Sequence, residues 1–341
     1  MTIDEQAADL DAANEAAPYA GLTPDRILEA VDRTGLRTDG RLLSLNSYEN
    51  RVFQVGLDDD ARGPFVVAKF YRPARWSDEQ ILEEHRFTAE LAEREIPVVP
   101  PLVLDGRTLH SAFGHRCSVF ERRGGRAPNL DDEAQLEWLG RFIGRIHGVG
   151  SIEPYRERPT LDATTFGQRS LDYLLANDSV ALESRAAYAG VAQAALDGVR
   201  ECYSRVGAPR LLRLHGDCHE GNVLWTDAGP HFVDFDDSRM GPAVQDLWML
   251  VSGDRREMSR RLGCLLDGYE SFAEFDRTEL HLVEALRTLR LLHHSSWIAE
   301  RWNDPAFPAA FPWFGTPKYW EARIFELREQ IAAMEEPPLA V

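Results

Sequence analysis

Two segments of this chain carry residue types and spacings that could handle phosphate. The first runs Leu214-His215-Gly216-Asp217-Cys218-His219-Glu220-Gly221-Asn222; the second, Phe232-Val233-Asp234-Phe235-Asp236-Asp237, follows within a hairpin's length. An Asp and an Asn five positions apart, with a further Asp at the end of the next strand, suit phosphoryl transfer. One carboxylate takes the proton of an attacking hydroxyl. The amide oxygen and the second carboxylate hold Mg²⁺, a hard cation that prefers oxygen ligands. A different reading takes His215, Asp217, His219 and Asp234 as a hydrolase cluster for Zn²⁺ or Mn²⁺, since imidazole and carboxylate suit those ions. That reading gives Asn222 and Lys69 no role.

Lys69 stands out by arithmetic. The chain has 38 basic residues, and all but Lys69 and Lys318 are Arg. Lys69 sits in the strand-like run Phe65-Val66-Val67-Ala68-Lys69-Phe70, while Lys318 lies in a loop-like Thr-Pro-Lys-Tyr stretch. A compact ammonium on a strand could reach the α- and β-phosphates of a nucleotide, aimed by a carboxylate on a neighbouring helix. Glu83 and Glu84 are the candidates; Phe87 and Leu91 mark a buried stripe beside Glu84, which favours it. Phosphates also need backbone N–H donors, and the polar turn Leu45-Asn46-Ser47-Tyr48-Glu49-Asn50 could supply them with a Ser hydroxyl.

These residues need elements to hold them. The acidic, Ala-rich stretch 1–20 reads as a disordered tail. Thr23-Pro24 opens a short helix that Gly35 ends. Strands follow at Arg41–Leu45, Arg51–Leu57 and Pro64–Tyr71, with the Asp58-Asp59-Asp60 turn between the last two. Ser77 to Gln80 forms a capping box before a helix carrying Ile81, Leu82, Phe87 and Leu91. Val103–Leu109 reads as a hairpin with an Asp-Gly turn, and Arg116–Glu121 as the next strand. Beyond the polar break Arg122–Arg126, helical periodicity dominates at 131–147, 181–203, 244–253 and 279–302, interrupted by short strands at Asn222–Trp225 and His231–Asp234. Residues 21–122 thus read as a sheet-rich lobe and 123–341 as a larger helical lobe, with ligands expected in a cleft. The aromatic and proline-rich stretch Trp302–Phe314 is expected to pack the helical lobe, and His293-His294 to be core or rim.

The strand Lys, helix Glu, His-Gly-Asp-x-His-x-Gly-Asn run and strand-end Asp resemble the aminoglycoside phosphotransferase and choline kinase group. Further runs are similar to a bacterial Ser/Thr protein kinase within it: 45–51, 69–73, 81–85, 213–219, 241–249 and 304–308. The resemblance implies an α+β, bilobal protein-kinase-like fold and an ATP- and Mg²⁺-dependent kinase acting on protein Ser/Thr hydroxyls in a stress response. It implies Asp217 as proton acceptor, and Asn222 and Asp234 as metal ligands. Asp234 also counts with the catalytic pair. Ser47 and Asn50 would meet ATP from the phosphate turn, with Lys69 and Glu84 beside them and Phe120 at the adenine-holding segment. His215 and Asp246 would support the loop. A small-molecule kinase for an amino alcohol or aminoglycoside is the alternative, and a non-catalytic nucleotide-binding scaffold the second. Gly216 replaces the Arg that precedes the base in eukaryotic protein kinases, Asp236 replaces the Gly of Asp-Phe-Gly, and no Ala-Pro-Glu follows. Activity without prior phosphorylation is therefore expected.

Composition bounds the partners. With 56 acidic against 38 basic residues the formal net charge is −18, which leaves no broad basic surface for a phosphate backbone. Nucleic acid is excluded as a partner. No apolar run reaches the ~18 to 20 residues of a membrane span, and the N-terminus reads as no secretory signal. Four scattered cysteines, Cys117, Cys202, Cys218 and Cys264, form neither a disulfide framework nor a zinc motif. The expectation is a cytoplasmic monomer with free thiols.

Overall fold

The computed structural model describes residues 18–58 and 61–341, which fall into two units. The first comprises the described residues through Ala92, Val99–Gly124 and a late return at Asn303–Ala310; the second comprises Glu93–Val98, Gly125–Trp302 and Phe311–Val341. Met1–Ala17, most of the expected acidic tail, and Asp59-Asp60 of the expected turn lie outside the described residues. Tyr19, also expected in the tail, is instead placed: its hydroxyl donates to the Glu49 carbonyl and its ring stacks near His115.

In the first unit, Thr23 caps α1 (Pro24–Asp32) by accepting the Arg26 N–H, with Pro at the first helical position. Then come β1 (Thr38–Leu45), β2 (Arg51–Leu57), β3 (Phe65–Phe70), α2 (Asp78–Glu93), β4 (His110–Ala112) and β5 (His115–Glu121). The strands form one antiparallel sheet in the order β1-β2-β3-β5-β4. Side chains alternate between the faces of a strand. Val66, Ala68 and Phe70 join Val55, Val119, Ile27 and Val31 in the core under α1. Lys69 points to the other face, in register with Val52 and Ser118. Ser77 and Gln80 close the expected capping box on α2 reciprocally.

The expected hairpin at Val103–Leu109 is corrected. Asp105 and Gly106 both adopt positive φ, as a tight two-residue turn requires, but only Leu104 and Arg107 pair across it. The ladder forms one turn later, between β4 and β5, where Phe113 and Gly114 take the positive-φ positions.

Residues Asn303–Ala310 also depart from expectation, because they belong to the sheet unit. Asp304 is buried and accepts from Arg72 Nη2 at 2.6 Å and Arg51 Nη2 at 3.1 Å. The Arg72 guanidinium also lies 5.3 Å from the Phe307 ring centre. Trp302 and Phe311–Phe314 of that stretch belong to the helical unit, with ring contacts to each other and to Trp297 and Trp320.

The second unit is built on α3 (Glu133–Gly150), α4 (Arg169–Ala176), α5 (Leu182–Val206), the strand pairs β6 (Leu212–Arg213) with β9 (Met240–Gly241) and β7 (Val223–Thr226) with β8 (Gly229–Phe232), then α6 (Val244–Trp248), α7 (Arg255–Tyr269), α8 (Val283–Glu300) and α9 (Pro317–Glu335). The sequence pattern does not single out α4, α7 and α9, although Met258, Leu262, Leu265, Leu266 and Tyr269 do form a buried stripe on α7. The helix expected to run from Val244 to Gly253 stops at Trp248. Helices α3 and α7 approach closely because Gly140 admits the Leu265 carbonyl where any Cβ would collide with it. No helix among the described residues is long and apolar enough to cross a membrane.

Candidate active site

The 214–222 loop leaves β6 and ends at β7, and the β7–β8 hairpin returns the chain to its start. Val223 pairs with Phe232, and the Val233 N–H donates to the Asn222 carbonyl at 3.0 Å. The hairpin therefore brings Asp234 beside Asn222, as the spacing predicts. The strand expected to reach Asp234 stops at Phe232. Asp234 itself is exposed and left-handed, at φ 60° and ψ 62°. That conformation is strained for a non-glycine residue, by roughly 1 to 2 kcal/mol, and such strain collects where a side chain must be aimed.

Asn222 turns its amide inward. Its Nδ2 donates to the Asp217 carbonyl at 2.9 Å and reaches Asp217 Oδ2 at 3.5 Å. The amide oxygen thereby faces away from Asp217, and together with the Asp234 carboxylate it would make a donor set of hard oxygens that suits Mg²⁺. His215 does not join a metal cluster: its Nε2 lies 2.9 Å from the Val233 carbonyl and its ring packs on Phe235 at 4.4 Å. Among the described residues no group of three or more His, Cys, Asp or Glu is placed to hold a metal ion, so the hydrolase reading finds no support.

The loop rests on Asp246. This carboxylate is 1% exposed; its oxygens accept the backbone N–H of His215 at 2.7 Å and of Gly216 at 2.9 Å. His147 Nε2 lies 3.0 Å from Asp246 Oδ2, and His147 Nδ1 lies 3.0 Å from the Tyr269 hydroxyl. Gly216 has φ 86°, and a Cβ there would strike the Asp237 carbonyl. The absence of an Arg before Asp217 thus has a local cause, since only glycine fits. Ser238 closes the other side, donating to the Leu214 carbonyl at 2.6 Å and meeting the Tyr155 hydroxyl at 2.7 Å.

Asp217 is half-buried between Arg290, which carries no motif, and His219, which belongs to the loop motif itself. Arg290 Nη1, from α8, is 2.7 Å from Oδ1, and His219 Nε2 is 3.4 Å from Oδ2. Burial pushes the carboxyl up, but the His219 hydrogen bond and the Arg290 charge outweigh it, against Asp237, and hold it at about 2. The group is ionised at every physiological pH and can accept a proton only as a reaction demands one. Cys218 is buried, and burial followed by the charges of Asp246 and Asp217 pushes its thiol well up. His293 stacks on Phe166, and His294 lies between Trp297 and Phe311. Burial, with help from Arg290 and Arg323, pushes the His294 imidazole down to about 4.

The sheet unit holds the other predicted residues. Lys69 is buried, with Nζ 5.7 Å from the Tyr71 ring centre. Tyr71 reaches α2, where its hydroxyl lies 2.8 Å from His85 Nε2; that nitrogen is 3.8 Å from Glu84 Oε2. Glu83 and Glu84 are both buried. Ser47 is half-buried in the β1–β2 turn. Asn50 is buried in the same turn, and its Oδ1 accepts the Arg72 N–H at 3.1 Å, which fixes the turn against the end of β3. Phe120 lies near the end of β5, opposite Val67. Sequence reasoning missed Arg290, His147 and Tyr269, which lie far along the chain from the loop they serve, and Ser238, which directly follows the Asp234–Asp237 run; no local pattern marks any of them.

An ionised, fixed carboxylate beside a pair of hard oxygen donors can orient a hydroxyl and take up its proton. Comparison with known proteins agrees with that chemistry. A family model described as "Phosphotransferase enzyme family" matches residues 41–283. The chain is 42% identical over 326 residues to stress response kinase A of Salmonella choleraesuis (strain SC-B67), covering 96% of this chain and 98% of that protein. It is 41% identical, with the same shares covered, to serine/threonine protein kinase RdoA of Salmonella typhimurium (strain LT2). Among solved structures, an amicoumacin kinase superposes with a TM-score of 0.67 at 17% identity, covering 92% of this chain and 94% of that one. A microcompartment-associated aminopropanol kinase gives a TM-score of 0.67 at 19% identity, covering 90% and 95%. The fold is accordingly the α+β protein-kinase-like fold expected, and this chain, an enzyme, belongs to the phosphotransferase family, in the group of stress response kinase A.

Proposed function

We propose that the enzyme is an ATP- and Mg²⁺-dependent kinase that phosphorylates Ser/Thr hydroxyls of proteins, as a cytoplasmic monomer serving a stress response. The observation that carries this reading is the loop itself: Asp217, Asn222 and Asp234 are held at one end of a hairpin, on a shelf made by Asp246. In this assignment Asp217 orients the acceptor hydroxyl and takes its proton. Asn222 and Asp234 hold Mg²⁺, which when bound offsets charge on the phosphates. Lys69, aimed by Glu84, and the Ser47–Asn50 turn grip the phosphates, and the backbone about Phe120 holds adenine. His215 and Asp246 keep the loop in shape.

The names of the relatives support a protein acceptor. So does Arg290: an ammonium-bearing acceptor brought to Asp217 meets a guanidinium there. The test is transfer of labelled phosphate from ATP to basic model proteins, to the enzyme itself and to amino alcohols in parallel. Transfer to protein with none to amino alcohols supports the reading; transfer to amino alcohols alone refutes the protein acceptor. No Mg²⁺-dependent ATP consumption with any acceptor refutes the kinase.

A further inference from the structure

Behind the shelf under the catalytic loop lies a cavity of about 280 Å³, lined by His147, Ser151, Ala243, Tyr269, Phe272 and Glu279, with Arg210, Glu274 and Asp276 also on its walls. Glu279 is 3% exposed, and among the described residues no Lys or Arg forms an ion pair with it. Its Oε2 accepts the Val244 N–H at 2.9 Å, in the short helix that carries Asp246. A buried carboxylate with no counter-charge is costly, yet this one borders open space. The walls beside it are aromatic: Tyr269 is buried, while Phe272 is 55% exposed. Glu274, Asp276 and Glu279 line the cavity against one guanidinium, Arg210; Asp276 caps Thr278, and His147 is engaged between Tyr269 and Asp246.

We propose that this cavity binds a small organic cation, an ammonium group on an apolar or aromatic body, and that its occupancy firms the shelf that holds the catalytic loop. The ammonium supplies the counter-charge Glu279 lacks, and Tyr269 and the exposed Phe272 line the space its body would fill. Occupancy reaches the loop by two contacts already formed, Glu279 to Val244 and His147 to Asp246. Such a ligand shifts the loop only through its preference for the firm state. Binding stands without the kinase reading; the effect on turnover rests on it.

The state of Glu279 gives the binding a pH signature. Burial pushes its carboxyl up, the Val244 N–H opposes this, Asp276 adds to the rise, and the result is about 7. Tyr269 and Tyr203 also feel its charge. The test is calorimetric titration of the full chain with benzylammonium, and with benzyl alcohol as its neutral match, without nucleotide. Benzylammonium should bind about tenfold more weakly near pH 6 than near pH 8, as one protonated carboxyl requires, and benzyl alcohol at least about tenfold more weakly than the amine near pH 8. Glu279→Gln should lose the preference for the amine. Phe272→Ala, at the exposed mouth, should weaken binding severalfold with an unchanged Tm. No binding by wild type, equal binding of amine and alcohol, or binding indifferent to both substitutions overturns the site. Amine binding that leaves ATP turnover of wild type unchanged overturns the coupling alone.

Discussion

Arg290 Nη1 lies 2.7 Å from Asp217 Oδ1, so the carboxylate assigned as proton acceptor is braced by a guanidinium from a helix more than seventy residues away. The Arg290 side chain is 45% exposed, and an ion pair so open to water is worth at most about 1 kcal/mol of stability. Its value is in placement. Arg290→Ala should leave the Tm within about 2 °C of wild type and lower turnover about tenfold, with Arg290→Lys recovering part of it. A large Tm loss at unchanged turnover would assign Arg290 to structure. Because the folded Asp217 carboxyl is depressed to about 2, its ionised form stabilises fully above the ordinary carboxylate range and loses that contribution only as pH falls toward 2.

Asp246 is the more costly residue to remove. Asp246→Ala strips two buried backbone N–H groups and His147 of their acceptor. Loss of about 2 to 5 kcal/mol is expected, measurable by denaturant unfolding, together with loss of turnover. Asp246→Asn, which keeps an acceptor oxygen, should fall between. A change below 1 kcal/mol, roughly the scale of one net hydrogen bond, would show that the loop does not depend on this shelf.

Glu279 should make stability fall with rising pH. Its folded carboxyl is raised to about 7, so between the ordinary carboxylate range and 7 the folded state holds a proton that the unfolded chain has released. The stabilisation of the neutral form is whole below that range and lost as pH rises through 7, up to about 3 kcal/mol. Unfolding midpoints of wild type and Glu279→Gln across that interval should diverge, the wild type losing ground. Parallel curves would contradict the assignment.

Cys218, one residue from the proposed base, should be inert to alkylation. It is buried and its thiol is pushed up, whereas reactive thiols are exposed and depressed. Iodoacetamide on the native enzyme should modify the partly exposed Cys264 first and leave Cys218 intact with activity preserved. Stoichiometric labelling of Cys218 in the native state would contradict this.

How much of this was legible depended on sequence distance. The Asp217–Asn222 loop and its hairpin to Asp234 were readable because all three lie within one short run, where spacing fixes geometry. The Thr23 and Ser77 caps were readable because their partners lie three residues on. Arg290 and Glu279 were not, since each sits in an ordinary helical pattern and meets its partner, the Asp217 carboxylate or the Val244 N–H, only through folding. Trp302–Phe314 misled because its aromatics suggested a helical core, while two arginines far upstream in the sheet draw Asp304 and Phe307 to the other unit. The Asp105-Gly106 turn misled because its local geometry is that of a hairpin, and no strand partners flank it.

The central claim is that Asp217 accepts the proton of the attacking hydroxyl. Transfer of labelled phosphate from ATP should be timed for wild type and for Asp217→Asn, with folding checked by Tm and nucleotide affinity measured separately. A drop of about 10² to 10⁴ in turnover at near-normal nucleotide binding is the predicted result; an Asp217→Asn enzyme that turns over at the wild-type rate would contradict it.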